Sequence, residues 1–171
     1  MRRTRFVRSA RKKAIWANVT INSQAFTETV GSALLLTPED WEAQFTGYAN
    51  ETAVLRAVVG EALIQQTTVG TAGNACIWGI YIADKDSTVP PSFQTTGGMG
   101  DYDWLHTGAQ GVAGTLVTQT SASLGHYPLR IKAKRRLRSR DAIWIAAQYM
   151  SDATAPAGTM GGIFRFLVAR D

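Results

Sequence analysis

The sequence predicts an all-β sandwich or barrel, and three observations predict it. Apolar and polar residues alternate with a period of two in several segments, glycine and polar clusters cut the chain into pieces too short for long helices, and a single segment carries a helix signature. At 171 residues the chain has the length of about one domain, enough to bury a core without disulfide staples. No repeat recurs at a period of about 20 to 50 residues, which argues against a propeller or solenoid.

The elements follow in order. In KAIWANVTIN, Ile15, Ala17, Val19 and Ile21 point one way while Trp16, Asn18 and Thr20 point the other, the pattern of a half-buried strand. VGSALLL at 30–36 is a second strand, and TAVLRAVVGEALI at 52–64 is a long β-branched run in which Gly60 marks a bulge. The run 75–83 is apolar on both faces, as a central strand of a sandwich requires. Between the second and third of these lies the helix signature, TPEDWEAQFTGY: Thr37 is the N-cap, Pro38 the first helical position and Asp40 the third residue of a capping box. Trp41, Phe45 and Tyr48 then form one aromatic face. Residues 85 to about 111 read as loop, because STVPPSFQTTGGMGD joins a Pro-Pro pair to a glycine cluster. A strand candidate at 114–120 follows, and then three clearer strands: HYPLRIKAKRRL, AIWIAAQYM and GGIFRFLVAR. The total is eight or so strands.

Charge is distributed unevenly. The net charge is +5, yet the first thirteen residues hold seven basic groups and no acid, Arg2, Arg3, Arg5, Arg8, Arg11, Lys12 and Lys13. From totals of 18 and 13, residues 14–171 keep eleven basic and thirteen acidic groups, so the chain divides into a basic arm, 1–13, and a near-neutral body, 14–171. An acid-free arm without apolar periodicity is expected to be disordered and to bind polyanions with strong salt dependence. A mitochondrial transit peptide shares its composition and is the competing reading. No apolar stretch approaches the roughly 18 to 20 residues that span a bilayer, so a soluble chain without a membrane partner is expected. The one cysteine, Cys76, lies in an apolar run and reads as a core filler.

Signals for catalysis are few. The two histidines, His106 and His126, stand apart from any CxxC, HExxH or GxSxG pattern. Asp101, Asp103 and His106 match no established metal spacing and read as turn residues. The clusters GGMG and GAQGVAG lack the lysine and hydroxyl of a phosphate loop and read as turns. An enzyme, a cofactor and a metal site are therefore not expected. What remains is a second basic cluster, LRIKAKRRLRSRD. In strand register Leu129, Ile131 and Ala133 face the core, and Arg130, Lys132 and Lys134 form a stripe on the opposite face. Arg135, Arg136, Arg138 and Arg140 extend it at a turn. A solvated strand face accounts for such a stripe as well as a phosphate-binding one does; guanidinium groups suit phosphate oxygens, and nothing in either cluster reads bases.

An arginine-rich arm leading directly into an all-β body resembles the single jelly-roll coat proteins of small icosahedral viruses, above all those of circular single-stranded DNA viruses. The residues that carry the resemblance are MRRTRFVRSARKK, AIWANVTIN, the capped TPEDWEAQF and IKAKRRLRSRDAIWIAAQ. It implies an eight-stranded jelly roll with a short helix between early strands, many copies in a closed shell, and an arm turned inward to a genome, single-stranded DNA rather than RNA. It further implies the virion as the protein's place, with the host nucleus a second one during assembly. A non-viral oligomeric β-sandwich that binds nucleic acid, organellar or chaperone-like, is the alternative, since the architecture hosts many functions.

Overall fold

Two antiparallel four-stranded sheets face each other across one core. The computed structural model describes residues 14–27, 30–42, 52–68, 76–88, 93, 102–110, 124–149 and 157–170. Its elements are β1 (Ala14–Phe26), β2 (Gly31–Leu36), α1 (Pro38–Glu42), β3 (Ala53–Thr68), β4 (Cys76–Asp84), β5 (Asp103–Gln110), β6 (Leu124–Leu137), β7 (Asp141–Tyr149) and β8 (Ala157–Arg170). The first sheet has the order β1-β8-β3-β6 and the second β2-β7-β4-β5. Only β4 and β5 are neighbours both along the chain and in a sheet; every other connection between successive strands passes from one sheet to the other. That interleaving is the eight-stranded jelly roll, a sandwich and not a barrel.

Alternation explains which face each strand buries. In β1 the odd positions from Ile15 to Ile21 are half-buried and the even ones exposed. In β8, Phe164, Phe166 and Val168 are buried and meet Leu55, Trp78, Ile80, Ile143 and Ile145 in the main core between the sheets. Each such large side chain contributes about 1.5 to 3 kcal/mol by leaving water. β4, the interior strand of the second sheet, is buried along both faces from Trp78 to Ile82 apart from the side chain of its end residues, as the apolar run predicts. Cys76 is buried in the core, and loss of hydration raises its thiol to about 12.

At α1 the capping box forms as read: the Thr37 N–H and hydroxyl both donate to Asp40 Oδ2, at 2.8 and 3.0 Å. Trp41 is buried, while Phe45 and Tyr48 lie outside the described residues. Lys85, in the turn after β4, pairs with Glu39, whose carboxyl is held down to about 2 chiefly by that contact.

Expectations change at Gly60 and over 103–110. The bulge in β3 falls between Leu55 and Ala57, and Gly60 serves instead as a close approach, where an added Cβ would stand 2.2 Å from the Ile163 carbonyl oxygen. Residues 103–110, read as loop, form β5 paired with β4; glycine in GAQ is not a turn there, because a Cβ on Gly108 would press on the Trp78 ring at 2.8 Å. Gly162, at φ +152° opposite Ile21, sits where β1 shifts register, a backbone conformation that favours glycine. The strand candidate at 114–120, GGMG and the basic arm lie outside the described residues.

Candidate nucleic-acid interface

Register carries the outward positions of the first sheet into rows. One row runs Asn18, Arg165, Val59, Arg130, and the next Trp16, Leu167, Ala57, Lys132. β6 is an edge strand, which is why it accommodates Pro128 opposite Glu61 without losing a ladder bond. Along it Leu129 is buried and Ile131 and Ala133 are half-buried, so Arg130, Lys132, Lys134 and Arg136 are exposed on the face away from the core. Arg136 lies opposite Val54.

The remaining members of the cluster go elsewhere. Arg135 keeps the core-side parity but stands at the sheet edge, where its Nη2 reaches Asp103 Oδ1 of β5 at 3.2 Å and clasps the two sheets together. Arg140 places Nε 3.0 Å from Asp84 Oδ2 and Nη2 3.6 Å from Asp86 Oδ2. Arg138 sits in the β6–β7 turn, where its backbone N–H donates to Asp141 Oδ2 at 2.8 Å. The stripe and the turn are therefore not one surface: Arg135 and Arg140 already face carboxylates, while Arg130, Lys132 and Lys134 face none among the described residues.

Two residues outside the cluster 129–141, Arg56 and Arg165, join the stripe. Arg56, the extra residue of the β3 bulge, is exposed between the buried Leu55 and Val58. Arg165 is exposed between the buried Phe164 and Phe166, and its guanidinium carbon lies 5.0 Å from the centre of the Trp16 ring. A charge alternating with phenylalanines in IFRFL is the signal that could have revealed it. The single acid on this face among the described residues is Glu61, whose Oε1 is 2.8 Å from His126 Nδ1. The arm residues Arg2 to Lys13 have no described position.

Elsewhere the titratable groups are absorbed by packing. His106 stacks on Trp78 at 5.1 Å, burial lowering its pKa, and Asp103 is committed to Arg135. No group of three metal-binding side chains occurs among the described residues, and no helix among them is long and apolar enough to cross a membrane. The chemistry this face offers is that of exposed cations on a water-facing sheet, groups that suit phosphate oxygens.

No family model matches the chain, and no curated protein matches it. Among solved structures it is similar to infectious bursal disease virus, Gx strain, with 14% identity over 93% of this chain and a TM-score of 0.38. It is also similar to Desmodium yellow mottle tymovirus, with 14% identity, 93% of this chain and 89% of that one covered and a TM-score of 0.32. The empty head of turnip yellow mosaic virus gives 12% identity, 96% and 86% coverage and a TM-score of 0.29. The chain spans about a third, 36%, of the bursal disease virus chain. The jelly-roll assignment rests on strand order and not on these likenesses.

Proposed function

We propose that the chain is the coat subunit of a small icosahedral shell, found in the virion, and that it packages nucleic acid non-specifically through phosphates. The observation that carries this reading is the outer face of the first sheet, where Arg56, Arg130, Lys132, Lys134 and Arg165 stand against a single described acid, Glu61. The arm adds seven further cations directly before β1. With the arm, this face gives a polyanion-binding side to a body whose charge is near neutral in total, as a wall facing a packaged genome needs. Phosphate contacts position a polynucleotide without reading its sequence, which suits a shell that must accept every stretch of a genome. The preference for single-stranded DNA over RNA rests on the sequence resemblance alone.

The test is negative-stain microscopy of the recombinant full chain, with the absorbance ratio at 260 and 280 nm read after nuclease treatment. Closed particles of megadalton mass holding protected nucleic acid are expected; a small ring of order a hundred kilodaltons overturns the shell. Neutralising the stripe in R130Q/K132Q/K134Q should lower the slope of log affinity against log salt by about 2 on a single-stranded probe, at ~0.7 per charge. An unchanged slope removes the stripe from the reading.

A further inference from the structure

We infer that the outer face of the first sheet takes a single-stranded polynucleotide, with its phosphates on the β6 stripe and an unpaired base stacked at Trp16. This rests on the proposed phosphate-binding role of that face and names the form of nucleic acid it fits. Of the five tryptophans, all among the described residues, Trp16 alone is exposed, at 44%, while Trp41 and Trp78 are buried and Trp104 and Trp144 half-buried. An exposed tryptophan on a water-facing sheet has a reason to be there if something flat covers it, and a nucleobase offers a π-face whatever its identity.

The geometry selects a single strand. Trp16 and Lys132 are the two ends of one row, with only Leu167 and Ala57 between them. Three strand spacings of about 4.8 Å put them about 14 Å apart across the sheet, roughly the reach from a phosphate over its sugar to the far edge of a base and a stacking partner. The floor of that row is uncharged, formed by Leu167 and Ala57, so a base can lie over it. Along β6, Arg130, Lys132 and Lys134 repeat at about 6.8 Å, twice the 3.4 Å rise per phosphate of a duplex strand. A chain that stretches to match that repeat must unstack its bases, and unstacked bases are what Trp16 receives. A duplex keeps its bases inside and offers none. The Arg165 guanidinium lies over one face of the Trp16 ring, which leaves the other face for a base, and a recess of about 300 Å³ lined by Trp16, Ala17, Asn18, Val19, Leu36 and Asp40 opens beside it.

The test uses the full chain with a fluorescein-labelled 20-nucleotide oligothymidine and a 20-base-pair duplex, read by anisotropy at matched salt. The ratio of the two affinities cancels what the arm and the stripe contribute to both probes. Trp16→Ala should weaken the single strand by about five- to a hundredfold and leave the duplex within about twofold, and Trp16→Phe should recover most of the loss. Ultraviolet crosslinking of the oligothymidine should mark the peptide that holds Trp16 in the parent chain. An unchanged ratio in Trp16→Ala, or a crosslink confined to other peptides, overturns the stacking site while leaving the phosphate reading intact. If R130Q/K132Q/K134Q binds both probes as the parent does, the phosphate reading itself fails. A Trp16→Ala chain that unfolds would show it by circular dichroism, and the Trp16→Phe ratio and the crosslink then decide.

Discussion

The two outward faces of the sandwich are built from the same alternation and end in opposite states. On the first sheet the outward positions are Trp16, Arg165, Val59, Arg130 and Lys132, and they stand open to water, with Ile163 60% exposed among them. On the second sheet the outward positions include Tyr81, Trp104, Trp144 and Ala146, and they form a second apolar cluster roofed by Phe93. Phe93 lies 5.2 Å from the Trp104 ring and its N–H donates to Gln148 Oε1 at 2.8 Å, the acceptor itself being buried. Phe93 is therefore part of the packing on that side. One face is committed to folding and the other is left available, so stability and binding can be altered separately.

The largest effect should come from the roofed face. Phe93→Ala removes a buried aromatic side chain from between Trp104 and Gln148 and should cost about 3 kcal/mol in urea unfolding. Ile163→Ala, on the open face, should change stability by less than about 0.5 kcal/mol. Equal costs at the two positions would erase the distinction between the faces.

Alkali should divide the sheets in the same way. Burial raises the pKa of Cys76 to about 12 and raises Tyr81 and Tyr149 as well, and all three belong to the second sheet. On the first sheet Tyr127 is raised, again by burial. In each case the unfolded chain gives up its proton at the ordinary value and the folded chain holds it to higher pH, so unfolding releases protons and alkali favours it. The stability tied to Cys76 is whole below about pH 9 and is lost progressively up to about 12. Hydrogen exchange between pH 9 and 11 should show β4 and β7 opening before β1 and β8. Simultaneous loss would mean that the second sheet carries no special alkaline weakness.

How much of this the sequence disclosed follows the range of the interactions. β1, β6 and β8 carry their own alternation, and the capped start of α1 is a signal four residues long, so all were legible. β5 was not, because DWLHTGAQ is broken by a glycine whose reason, the Trp78 ring, lies thirty residues away in the neighbouring strand. The stripe Arg130, Lys132, Lys134 was legible as a strand face, but Trp16 and Arg165 meet only because β1 pairs with β8 from opposite ends of the chain. Other long-range contacts, between β6 and β5 and between β7 and β4, supply the acids that take up Arg135 and Arg140, which local sequence cannot foresee.

Arg135 gives the smallest and sharpest test, since Lys134 and Arg135 are consecutive residues with different duties. Arg135 and Asp103 are each about half exposed, at 52% and 47%, so their pair lies in water and should contribute less than about 1 kcal/mol. Removing both charges in D103N/R135Q leaves the net charge as it was and should shift the urea midpoint only slightly. Affinity for a single-stranded probe and its salt slope should also stay as they were, because the charge removed was already matched by a carboxylate. Lys134→Gln removes an unmatched cation and should lower the slope by about 0.7. If the D103N/R135Q slope falls by as much, Arg135 reaches phosphate despite Asp103, and the boundary between the clasp and the binding face must be redrawn one residue further along β6.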